Sequence, residues 1–176
     1  MILLLLLACS RTPPPIPSEW ENYHIYQKNW GANKSCVTAA SLTALRVVAP
    51  ERWYPTPSFN AFDFTVRESQ GLDRDTPMRF SGVYRSFDEI NGKRLFGVDE
   101  MMDSVQSGVP VLATVKTTHP ESTHGIVVLA YDSRSNMWLV SDPDRPKMDW
   151  RSDDDLRGQL TLEYAGMSSI EWKIAE

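Results

Sequence analysis

Between Cys36 and Ala49 the apolar positions Val37, Ala40, Ala44 and Val47 recur every three or four residues, which is the spacing of a helix with one buried stripe. Pro50 follows and is expected to stop it, and Asn33 and Ser35 stand where a side-chain oxygen can cap its first amides. A weaker pattern predicts a second helix over 58–69, ended by Gly71. A third is predicted over 99–107, with Gly108 as its C-terminal signal and Pro110 beyond. The period then changes. Val111–Lys116 reads as a strand, and 126–131 is an unbroken apolar run, as expected of a strand buried on both faces. Residues 132–136 form a turn cluster, Met137–Ser141 is the next strand, and 169–174 is read as a closing one. Helices first and strands afterwards describe an α+β domain.

The predicted hairpin brings distant chemistry together. If 126–131 and 137–141 pair antiparallel around a turn centred near Arg134, position 124 faces roughly position 144. His124 and Asp142 then lie at the same end of adjacent strands. An aspartate two positions off register is within about 7–8 Å between Cα atoms, close enough for the side chains to meet.

The chain has 176 residues, ordinary for one domain with a core of its own, and carries a net charge of −5. That charge, with no cluster of Lys and Arg to override it, argues against a nucleic-acid partner. The acidic run Asp153, Asp154, Asp155 reads as a solvated turn or a helix start, because a calcium loop would alternate its ligands and supply a glycine for the bend. The N-terminus changes the picture more. An apolar run over 1–8 leads into Cys9, and Leu6-Leu7-Ala8-Cys9 resembles a bacterial lipobox, in which the cysteine becomes the lipidated N-terminus. The run is far too short to span a bilayer. Residues 10–19, rich in proline, are expected to form an extended, unpacked tether. The expected organisation is a signal and acylation site over 1–9, the tether over 10–19 and one domain over 20–176. It implies anchoring by lipid on Cys9 at the bacterial cell envelope, outside the cytoplasm.

With Cys9 assigned to lipidation, Cys36 is the one thiol of the folded part. A lone thiol at a helix start is a candidate nucleophile, since the unpaired amides and the helix dipole favour thiolate, and the plain alternative is a small buried hydrophobe. A nucleophile also needs an imidazole partner, for which His124 is the candidate, and a group that orients the ring, for which Asp142 is. The amide of Cys36 and a side-chain amide from Gln27, Asn29 or Asn33 are candidates to hold the oxyanion. His119 is expected in a loop, and His24 is expected to pack or cap near the N-terminus. A zinc site from Cys36, His119, His124 and Asp142 lacks a recognised metal spacing, so neither metal nor other cofactor is expected. The tryptophans and Phe59, Phe62 and Phe64 read as core or cleft walls.

Cys36 leading a helix of small residues, T-H-G-I-V-V-L-A-Y-D over 123–132 and M-W-L-V-S-D-P over 137–143 resemble the papain-like cysteine peptidases. The likeness is to the group of bacteriocin leader peptidases (double-glycine peptidases) and their free-standing relatives, and G-V-P-V-L-A-T-V-K over 108–116 is similar to that group's strand before the histidine. The resemblance implies a papain-like fold, with an N-terminal helix carrying the cysteine packed on an antiparallel sheet carrying His and Asp. It implies Cys36 as nucleophile, His124 as base, Asp142 as orienter and Gln27 as oxyanion donor. It further implies a peptide or protein substrate cleaved through an acyl-enzyme. Two alternatives stay open: acyl transfer to an amine by the same triad, and a catalytically weak papain-like domain that binds peptides or proteins.

Overall fold

The computed structural model describes residues 12–30, 35–117, 123–161 and 167–172. Among these, six strands form one antiparallel sheet: β1 (Ile90–Leu95), β2 (Val111–Lys116), β3 (Thr123–Asp132), β4 (Met137–Ser141), β5 (Asp149–Ser152) and β6 (Met167–Trp172), in the order β1-β6-β2-β3-β4-β5. The α+β, papain-like architecture expected from the sequence is present. The apolar run of β3 sorts as its alternation requires. Ile126 and Val128 face one cluster with Val111, Ala113, Trp138 and Val140, while Val127 and Leu129 face the other with Leu112, Leu139 and Ile170. Both faces are covered, so β3 is buried throughout its centre.

The helix that carries the cysteine, α2 (Cys36–Val48), packs in the second of these clusters, with Val127 and Leu129. It is buried from Val37 to Arg46, all round and not along a single stripe. Its small residues explain this, because Ala39, Ala40, Ser41, Thr43 and Ala44 let the sheet and neighbouring helices close on every side. Those neighbours are α3 (Pro50–Trp53), α4 (Phe59–Gln70) and α5 (Phe80–Ser86). α2 stops at Val48, ahead of Pro50: Ala49 leaves the helical conformation at φ −146° and ψ 65°, and Pro50 opens α3, where a missing N–H costs nothing. Buried Arg46 ties this corner down by donating to the carbonyls of Trp53 and Pro57. Gly71 ends α4 in the left-handed conformation at φ 63°, as its sequence position predicts.

On the far face, α6 (Val98–Gln106) and α7 (Asp153–Gln159) bury Met101, Val105 and Leu156 against the sheet. The acidic run proves to be a helix start: Ser152 Oγ accepts from the Asp155 amide at 3.2 Å, and the three carboxylates sit in the positive first turn of α7. Phe59 and Phe62 are core, whereas Phe64 is 65% exposed and lines an open groove of about 540 Å³ with Asp63, Arg67, Leu72 and Arg74. The proline-rich segment is not free along its length. Ile16 packs against the core, and a short helix, α1 (Ser18–Tyr23), places Trp20 there too, because these apolar side chains gain more by burial than by extension. Cys9 lies outside the described residues, as do 173 and 174 of the expected closing strand. Among the described residues no helix is long and apolar enough to cross a membrane.

Candidate active site

Cys36 is half-buried, forms no disulfide among the described residues and stands at the first turn of α2. Its sulfur accepts a hydrogen bond from the Gly125 amide at 3.4 Å. Gly125 is what lets β3 come this close. A Cβ there would meet the Val37 Cγ2 and Phe80 Cζ atoms at 3.2 Å and the Val37 Cα at 3.3 Å. Ser35, expected to cap the helix, makes no side-chain cap bond. Its Oγ instead accepts from Arg67 of α4 at 3.2 Å. Arg67 in turn pairs with Asp63 at 2.8 Å, and Asp63 accepts from the Thr38 hydroxyl at 2.5 Å. The arginine also donates to the carbonyls of Asp73 and Thr76. A buried ion pair from α4 thus braces the turn that carries the thiol.

The sheet brings the next groups. Val127 faces Ser141 and Val128 faces Val140, so the register extrapolates to 124 opposite 144, as the turn position predicts. A shift in register between Val128 and Ala130 takes up the extra residue of β3 nearer the turn. His124 is buried, and its Nε2–H donates to Asp142 Oδ1 at 2.7 Å across the eighteen residues that separate them. The same oxygen accepts from the Asp144 amide at 3.0 Å, and the other accepts from Arg151 of β5 at 2.6 Å. Arg145 adds a cation at 3.7 Å.

These contacts set the charges. Burial alone would raise the Asp142 carboxyl, but hydrogen bonds from His124 and Arg151 hold it well below the usual carboxylate range. Burial likewise pulls His124 down, and hydrogen bonds with Asp142 and Cys36 overcome it and push the imidazole up to about 10. The raised imidazole favours its protonated form, set between the Asp142 carboxylate and the Cys36 sulfur.

His24 closes the turn from behind, donating from Nε2 to the Arg145 carbonyl at 2.8 Å and accepting at Nδ1 from the Ser141 hydroxyl at 2.7 Å. Burial lowers its pKa, which keeps the neutral form that this pattern uses. Gln27 opens a short 3-10 turn over Gln27–Trp30. Its backbone amide donates to the Pro143 carbonyl at 2.9 Å, and its side-chain amide donates to Asp144 Oδ1. The other Asp144 oxygen lies 3.6 Å from His124 Nδ1. The side chain of Asn29 and the whole of Asn33 and His119 lie outside the described residues. Of the three amides considered for the oxyanion, Gln27 is therefore the one with a described place, bonded to a carboxylate that touches His124. Cys36, His124, Asp142 and Gln27 converge.

Two groups were missed from sequence. Arg151 sits on a strand of only four residues, D-W-R-S, with no alternation to announce it. Asp144 had a signal. It is the residue the register sets opposite His124. His124, Asp142 and Asp144 also have ligand atoms within 4.8 Å of one another, a trio other than the zinc set weighed from sequence. Both oxygens of Asp142 are already taken, one by His124 and one by Arg151.

A helix start presenting a thiol to a histidine on an antiparallel sheet is the frame of a papain-like cysteine peptidase. Residues 69–170, more than half the chain, match the Peptidase_C39 like family, and the chain belongs to that family, of cysteine-type peptidases. The matched segment contains His124, Asp142, Asp144 and Arg151, and Cys36 and Gln27 precede it. The fold is similar to the peptidase domain of Streptococcus ComA, a bifunctional ABC transporter involved in a quorum-sensing pathway. That match has a TM-score of 0.57 and 14% identity, and covers 81% of this chain and 93% of that one. A putative C39-like peptidase from Bacillus anthracis aligns with a TM-score of 0.49 and 11% identity, over 81% of this chain and 91% of that one. No curated protein matches the chain.

Proposed function

We propose that this protein cleaves peptide bonds with Cys36 as nucleophile, His124 as general acid and base, and Asp142 as the group that orients the ring. The observation that carries the reading is the convergence of three elements. The α2 start supplies the thiol, Gly125 donates to its sulfur at 3.4 Å, and the adjacent His124 is fixed by Asp142 at 2.7 Å. The thiolate attacks the carbonyl carbon, and the oxyanion is received by the Cys36 amide and the side-chain amide of Gln27. The C–N bond breaks as His124 gives its proton to the leaving amine, which leaves a thioester on Cys36. Water then loses a proton to His124 and attacks the thioester, and the acid product departs as the thiolate re-forms.

Alkylation of Cys36 by iodoacetamide tests this without a known substrate. The expected result is labelling faster than that of free cysteine at a pH well below the ordinary thiol range, and its loss in His124→Ala. Wild-type labelling no faster than free cysteine would overturn the reading and favour a papain-like module that binds peptides.

The domain is also proposed to sit at the cell envelope, held by lipid on Cys9. The lipobox-like residues before Cys9 and the proline-rich stretch after it support this. A Cys9→Ser variant should move from the membrane fraction to the supernatant, and one that still sediments with membranes would refute the anchor.

A further inference from the structure

The side-chain amide offered for the oxyanion is already occupied. Gln27 donates to Asp144 Oδ1, while the second oxygen of the same carboxylate faces the Nδ1 edge of His124 at 3.6 Å. A peptide product released by hydrolysis carries its carboxylate to the same two partners: one oxygen toward the oxyanion donors, the other toward the imidazolium. Asp144 therefore stands in the protein's own site as a product carboxylate would.

The two ends of this contact differ in freedom. Gln27 is buried, its main chain is tied to Pro143, and its Oε1 has no hydrogen-bond partner among the described residues. The Asp144 side chain is 49% exposed. Only the carboxylate can swing out into water at low cost, leaving the amide aimed into the space it vacates. Two residues before it, Asp142 is held by His124, Arg151 and Arg145 and cannot take its place.

We propose that Asp144 is a competitive internal ligand of the catalytic centre, one that an incoming acyl group displaces from Gln27 and His124. The proposal rests on the reading of Cys36 as nucleophile. It gives the site a sign preference. A neutral carbonyl oxygen can replace the carboxylate, whereas an anionic group must enter against its charge. After hydrolysis the returning Asp144 helps to expel the acid product by like-charge repulsion.

The test uses two alkylating probes, neutral iodoacetamide and anionic iodoacetate, on wild type, Asp144→Asn and Asp144→Ala. The ratio of iodoacetate to iodoacetamide rates should rise about tenfold in both variants, because each removes the competing charge. Acetate, a product-like carboxylate, should slow iodoacetamide labelling of Asp144→Ala several-fold and leave wild type unaffected, since only the variant has the slot empty. Both effects are required, and the absence of either overturns the proposal. A ratio that falls would make Asp144 a supporting member of the site. Failure of the nucleophile reading is seen separately, as wild-type iodoacetamide labelling that His124→Ala does not change.

Discussion

The two sides of the site are held in different ways. On the sheet side, His124 and Asp142 are buried, and Asp142 is bound by an imidazole, an arginine and a backbone amide, with a second arginine close by. On the helix side, Cys36 is half-buried and receives one amide, and Gln27 gives its side chain to a half-exposed carboxylate. The orienting half is fixed several times over, so its geometry does not depend on substrate. The half proposed to receive the attacked carbonyl is held by contacts that an incoming group could replace. Preorganised charge and displaceable occupancy thus sit 3.6 Å from each other, at His124 and Asp144.

The comparison breaks most visibly at His124. Replacing it with Ala removes the proposed proton carrier and should lower turnover about 10³-fold or more, with peptide cleavage as the measurement, and leave the fold recognisable by circular dichroism. Arg151→Met tests whether the sheet side is held as firmly as its contacts imply. The guanidinium is 4% exposed, and its loss leaves the buried Asp142 carboxylate short of its main cation. Unfolding in urea should show a cost of about 3–5 kcal/mol, in the range for breaking a buried pair from one side. A cost under about 1 kcal/mol would mean that Arg145 alone suffices.

The same half predicts a pH window. Asp142 is depressed, so its contribution to folding is complete above 3.8 and is lost as pH falls through its folded value. His124 is raised, so its contribution is complete below 6.5 and is lost as pH rises through about 10. Thermal unfolding followed against pH should show this part of the stability at full strength between 3.8 and 6.5. Asp142→Asn should flatten both flanks. On the helix side, Arg67→Met removes the brace on Ser35 and Asp63 and is expected to cost about 2 kcal/mol in the same melts.

Legibility followed the same division. The sheet side could be read because a turn position and a period of two fix which residues face each other. His124, Asp142 and the pairing of β3 with β4 follow from that rule, and it holds at the site end of the hairpin because the register shift lies nearer the turn. Arg151 could not be read, since β5 has four residues and its partner is chosen by tertiary pairing. β1 was invisible for a related reason: I-N-G-K-R-L has apolar residues only at its ends, as an edge strand covered on one side permits. On the helix side the start of α2 was plain, but its capping was not. Ser35 is diverted to Arg67, a residue thirty-two positions away that no local pattern connects to it. Asp144 is legible in the register, opposite His124, but an Asp-Pro-Asp turn offers two carboxylates and the register alone does not divide their roles.

Gly125→Ala joins the two sides and carries the smallest expected effect on folding. The added methyl would press on Val37 and Phe80 at 3.2 Å, and on the Val37 Cα at 3.3 Å, where main chain cannot turn aside as a side chain can. Overpacking of this kind costs about 1–2 kcal/mol. Its effect on catalysis should be larger than that figure implies. The strain is relieved by moving β3 away from the start of α2, and that motion lengthens the Gly125 to Cys36 contact and carries His124 with it. The expected result is a loss of Cys36 labelling by iodoacetamide at low pH that exceeds the loss of stability. The Asp142 to His124 bond, both of whose ends lie on the sheet side, should survive and can be followed by the imidazole proton resonance. Equal losses in both measurements would mean that helix and sheet yield together, and that the two sides of the site are one rigid unit.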